Sequence, residues 1–151
     1  MREIREKVQT LLIPLLEEHQ AYLVDVVVRN ERGGKLIQAF VDTDKGVTID
    51  ECAIMSRELA GEMDRLNILE TTYRLEVSSP GIDKPLTLLR QYQKNIGRPF
   101  RVAYLKAGTQ TTVEGTLVSV EGDALTFQPD KGESLTLRFS EITESKEKLP
   151  W

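Results

Sequence analysis

One cysteine, one histidine and one tryptophan occur in this sequence of 151 residues, and aromatic residues make up only 6% of it. A lone cysteine, Cys52, cannot close an internal disulfide, so nothing argues for an oxidising compartment and the cytoplasm is the expectation. A lone histidine, His19, has no Cys or His partner at metal-ligand spacing, and no structural metal is expected. No apolar run approaches the roughly 20 residues that span a bilayer. The opening MREIREKVQT has no apolar stretch beside a cleavage site, so no secretory signal is expected. Nucleotide-cradling Gly-x-x-x-x-Gly-Lys and the Gly-x-Ser-x-Gly turn of serine hydrolases are both missing. A Gly-x-x-Gly clamp, which sequence-reading KH domains use on single-stranded RNA, is missing too, since Gly33-Gly34 lies in a hairpin turn.

What is present is a soluble, globular balance: 40% hydrophobic and 29% charged residues with a formal net charge of −4. An acidic total argues against a generic nucleic-acid coat, but the total conceals a strong polarity. Residues 42–83 hold ten Asp or Glu against four Lys or Arg, a net of −6. Residues 84–113 hold Lys84, Arg90, Lys94, Arg98, Arg101 and Lys106 with no acid, a net of +6. The change of sign predicts two modules with a binding surface near their junction.

Helical spacing of Ile4, Val8, Leu11, Leu12 and Leu15 predicts a helix over 2–19, kinked or broken at Pro14 because proline removes the bond to Thr10. The β-branched stretch 22–28, turn residues at 30–34 and a second run over 36–41 predict a hairpin. Thr48-Ile49-Asp50-Glu51 has the pattern of a capping box. It opens a helix with Cys52, Met55, Leu59, Met63 and Leu66 on one stripe, and Cys52 is expected to be a buried small hydrophobe. A strand over 72–78 completes an α-β-β-α-β module, two helices over one face of a sheet. Beyond it a short helix is expected over 86–95, then strands at 100–105, 112–120, 124–128 and 134–138. Short strands in that number favour a small closed barrel, since closure removes exposed edges.

Between the modules lies YRLEVSSPGIDKPL, residues 73–86. Tyr73, Leu75 and Val77 alternate with Arg74 and Glu76, then Ser78-Ser79-Pro80-Gly81 and Asp83-Lys84-Pro85 follow. Two prolines around a glycine predict a stiff elbow after a strand. This segment closely resembles the hallmark segment of the RimP family of bacterial ribosome maturation factors. The resemblance runs over roughly 4–143 and includes Tyr22-Leu23-Val24-Asp25-Val26, Gly46 through Cys52, Ser56-Arg57 and Glu114-Gly115-Thr116-Leu117. It implies an α+β chain: an N-terminal α-β-β-α-β sandwich of KH-like outline over 1–84, then a small all-β Sm- or SH3-like barrel over 85–151. It also implies a cytoplasmic factor that binds the free, immature small (30S) ribosomal subunit, with no catalysis, cofactor, membrane or small-molecule substrate. Contacts would be to ribosomal RNA and a ribosomal protein near the decoding centre. The chain departs from the family pattern at Glu144-Ser145-Lys146-Glu147-Lys148, a charged run where a further apolar strand is usual; Trp151 is read as packing or frayed.

The residues expected at the docking surface are Ser78, Ser79, Pro80, Gly81, Asp83, Lys84, Arg90, Lys94, Arg98 and Arg101. Lys84 and Arg98 each adjoin a proline that restrains their backbone, which suits phosphate or acidic-partner contact without base specificity. The serines brace the turn or also form a contact surface; as nucleophiles they lack a base. Asp42-x-Asp44-x-Gly46 is not a calcium loop, because the glycine comes one position early and Ala53 replaces the bidentate Glu; it reads as a solvated hairpin exit. The rival reading is a protein-only adaptor whose barrel grips peptides, for which only Phe100, Tyr104, Phe127 and Phe139 are available as groove aromatics.

Overall fold

In the computed structural model, which describes residues 2–81 and 84–148, the chain divides into two units, Met1–Pro80 and Gly81–Trp151. Each has its own core.

The first unit runs α1 (Arg2–Glu18), β1 (Ala21–Glu31), β2 (Gly34–Thr43), α2 (Ile49–Leu66) and β3 (Tyr73–Ser78). The α-β-β-α-β order is as the periodicity predicts. Strand order is β1-β2-β3, with β1 antiparallel and β3 parallel to β2. A parallel pair requires a crossover, and α2 provides it. Val8, Leu12, Leu15 and Leu16 of α1 and Cys52, Met55, Leu59 and Met63 of α2 bury their stripes on Val26, Ile37, Ala39 and Val41. Tyr73, Leu75 and Val77 pack on the same core, as their alternation predicts. Leu66 does not join the stripe and stays 46% exposed. Pro14 neither breaks nor ends α1; the single lost backbone bond is outweighed by a stripe buried on both sides of it. Arg5 fastens α1 to the sheet, donating to the Val26 carbonyl at 2.9 Å.

Both strands of the hairpin extend beyond the spans the β-branched residues suggest. Pairing continues to Glu31↔Gly34, and Lys35 N–H donates to the Thr72 carbonyl at 3.0 Å. Asp42 is a correction: it is only 6% exposed rather than solvated, and its carboxylate accepts from Thr43 N–H at 2.9 Å.

The second unit is an antiparallel five-stranded sheet: β4 (Pro99–Lys106), β5 (Thr109–Glu121), β6 (Ala124–Pro129), β7 (Leu135–Arg138) and β8 (Ile142–Glu147). Its order is β7-β6-β5-β4-β8, so consecutive β7 and β8 occupy opposite edges. Five strands laid flat would hold those edges about 19 Å apart at about 4.8 Å spacing. The three residues 139–141 form a single 3₁₀ turn, which advances only about 2 Å per residue. The sheet must therefore coil on itself. Among the described residues no ladder joins β7 to β8, so hydrogen-bonded closure is not seen.

Two expectations are corrected in this unit. The stretch after the Pro-Gly segment is not one helix but two 3₁₀ turns, Leu89–Gln91 and Gln93–Asn95. The buried Gln91 explains this: its side-chain oxygen accepts from Thr87 and Leu88 N–H, both at 2.9 Å, and holds the preceding backbone non-helical. The charged run at the C-terminus does form a strand. β8 pairs with β4 and buries only Ser145, opposite Val102, so an edge strand here needs no apolar face.

Candidate docking surfaces

Ser78 ends β3 and Ser79 directly follows it on the first unit. There they line one wall of a recess of about 380 Å³, with Glu76 and Val77, opposite Val47, Thr48, Ile49, Cys52, Ala53 and Ser56. A second recess of about 560 Å³ continues along the same helix and strand, lined by Ser56, Arg57, Ala60 and Asp64 against Thr72, Tyr73 and Leu75 among others. Two segments that the sequence singles out separately, Gly46–Ser56 and the end of β3, thus meet across one trough.

The geometry of α2 dictates the trough's chemistry. Thr48 Oγ1 accepts from Glu51 N–H at 3.1 Å and Glu51 Oε1 accepts from Thr48 N–H at 2.9 Å, so the capping box is complete. Those bonds to Thr48 hold the Glu51 carboxyl below its ordinary value. With the box closed, Ile49 falls outside the buried stripe and is 89% exposed. Cys52 is buried, and burial pushes its thiol up, away from reactivity. At the far end Tyr73 donates to Asp64 at 2.7 Å. Burial first, and that bond second, push its phenol up to about 12. His19 Nε2 lies 2.8 Å from Glu58 Oε2. The trough itself was not legible in the sequence, although Ile49 carried a signal: an apolar residue directly after a cap and off the stripe.

Gly81 and the cations belong to the second unit. Asp83 and Trp151 lie outside the described residues. Lys84 precedes the 3₁₀ turns that carry Arg90 and Lys94, and the buried Gln91, Tyr92 and Asn95 anchor those turns. Asn95 Nδ2 donates to the Gln91 carbonyl at 2.6 Å, Leu86 N–H to the Ser145 carbonyl at 2.8 Å, and Gly97 N–H to the Leu117 carbonyl at 2.7 Å. Arg90 and Lys94 are therefore mounted on an anchored backbone, whose Tyr92 packs in one ring cluster with Phe100 and Phe127.

They are not six free charges. Arg98 Nη1 is 3.1 Å from Glu147 Oε1, and none of Lys84, Arg90 and Lys94 is without a partner. Arg101 makes no ion pair among the described residues; it stands in register between Glu114 of β5 and Lys146 of β8. Glu114 is itself engaged by Lys148 at 2.6 Å, which holds its carboxyl below the ordinary value. A linear count of charge missed these acids because they arrive from neighbouring strands.

The first unit is thus an α/β module whose segments meet in a helix–strand trough, followed by a separate antiparallel sheet that carries cations. Residues 11–83 match the family model described as the RimP N-terminal domain. By that match the first unit is a RimP N-terminal domain, and the RimP family is one of ribosome maturation factors. No helix among the described residues is long and apolar enough to cross a membrane.

Proposed function

We propose that this chain is a cytoplasmic, non-catalytic assembly factor that binds the free, immature small (30S) ribosomal subunit. The family match over residues 11–83 is the observation that carries the reading. Docking would use Ser78, Ser79, Pro80, Gly81 and Asp83 together with Lys84, Arg90, Lys94, Arg98 and Arg101. The partners would be ribosomal RNA phosphates and a ribosomal protein near the decoding centre. Arg101 supports the phosphate part, since it is exposed and without an ion pair among the described residues. Arg98 would exchange Glu147 for a phosphate, which suits reversible contact.

We read the coiled second sheet as a small Sm- or SH3-like barrel whose β7 and β8 edges approach without a ladder. The rival adaptor loses support from the aromatics it needs. Phe100 and Phe127 have no exposed surface and form the core rather than a groove. A strain lacking the protein should accumulate immature small subunits on a sedimentation gradient; an unchanged profile would remove the proposal.

A further inference from the structure

We propose that the trough between α2 and β3 takes an extended, lysine- or arginine-rich peptide of a protein partner, added as a fourth strand on the open edge of β3. The inference deepens the reading above by naming one surface and its partner chemistry, and rests on that reading for the partner's being part of an assembling particle.

β3 pairs with β2 alone, and its other edge carries no ladder among the described residues. An open edge is a template for another strand unless something blocks it. β3 carries no proline and no bulge. Its six residues extend about 20 Å at about 3.3 Å per residue, room for two or three inward side chains of a strand beside it. α2 flanks this edge, which is the arrangement by which a helix and an edge strand together capture extended peptides. Main-chain bonds then give affinity, and the trough receives alternate side chains.

Its lining selects apolar side chains along the floor. Ile49, Ala53 and Val77 supply one end, and Ala60, Leu69 and Leu75 the other. Among the described residues Ile49, at 89%, is the most exposed of the large hydrophobic side chains. The N-terminus of α2 does not invite an anion, because the capping box already bonds Thr48 and Glu51. Charge on the two elements selects a cationic occupant. Two carboxylates, Glu76 and Asp64, line the trough against one arginine, Arg57, whereas Glu58 and Glu62 line a recess toward α1. Acidic rims repel phosphate and attract basic peptide, which favours protein over RNA here.

The test is hydrogen exchange on the full chain at the amides of Tyr73–Ser78, with a short alternating Lys-Val peptide and, separately, with oligouridylate. The peptide should slow exchange at the edge amides about tenfold, equivalent to about 1.4 kcal/mol, and oligouridylate should not. Ala53→Arg, an exposed helix position given a good helix former, should abolish the slowing, as should Ile49→Ser. Absent slowing, slowing that survives in both variants, or slowing by oligouridylate instead would overturn the inference. Co-pelleting of wild-type chain with free small subunits separates the two levels. If the chain co-pellets and the peptide does not protect, only the trough is wrong. If the peptide protects and the chain does not co-pellet, the trough stands and the ribosomal reading falls.

Discussion

Arg98 and Glu147 face each other at 3.1 Å, the arginine 57% exposed and the carboxylate only 17%. Arg98 immediately precedes the first strand of the sheet and Glu147 ends the last, so β8 partly neutralises the cationic stretch that precedes β4. Removing the carboxylate should release the guanidinium. Glu147→Gln is expected to tighten binding to free small subunits and to steepen the salt dependence by up to about 0.7–0.9 in the log–log slope, the equivalent of one phosphate contact. A titration over a salt series measures it; an unchanged slope removes Arg98 from the contact.

The capping box sets where α2 begins and where Ile49 points. Thr48→Ala removes the hydroxyl that accepts from Glu51 N–H and should cost about 1 kcal/mol. Chemical denaturation of the two proteins gives the difference. Thr48→Ser should recover most of it.

Gly34 and Gly33 adjoin in the hairpin, yet substitution should separate them. A Cβ on Gly34 would lie 2.0 Å from the Thr72 carbonyl oxygen, whereas one on Gly33 meets nothing within 4 Å. Gly34→Ala must push the β3 entry away from the hairpin and should cost at least about 3 kcal/mol, the upper end for overpacking. Gly33→Ala, at φ 89°, should cost only about 1–2 kcal/mol for the left-handed backbone. Thermal melts distinguish these, and equal losses would contradict the close approach.

The first module was largely legible because its signals are local. The 3.6-residue stripe through Met55 and Leu59, the Thr48–Glu51 pair and the alternation at Tyr73–Val77 each fix a structure within a few residues. The second was less so. Gln91 suppresses a helix through bonds to Thr87 and Leu88 that no period reveals. β8 is a strand because β4 offers it an edge, and its charged residues give no apolar alternation to read. The docking residues suffered most: Glu147 and Glu114 meet the cations only through strand pairing, and the trough exists only because parallel pairing brings the end of β3 beside the start of α2.

Acid should weaken the fold through its bonded carboxylates. Glu31 is held below the ordinary value of 4.5 by its bond to Arg74, Glu51 by its bonds to Thr48, and Glu114 by Lys148. A carboxyl with a folded pKa below its unfolded one favours the folded state above the unfolded value, and that favour is lost as pH falls through the folded value. The Tm should be nearly level between about pH 7 and 5 and decline below about 4.5. Glu51→Gln keeps an oxygen for Thr48 N–H but cannot titrate, so its decline should be shallower. A Tm that rose on acidification would contradict this assignment.

The most direct measurement is association of the purified chain with free small ribosomal subunits, immature and mature, across a salt series. The account predicts binding that favours the immature particle, weakens as salt rises, and loses both affinity and salt slope when Lys84, Arg98 and Arg101 are changed to Glu. No association with either particle, or binding indifferent to salt and to those three charges, would contradict it.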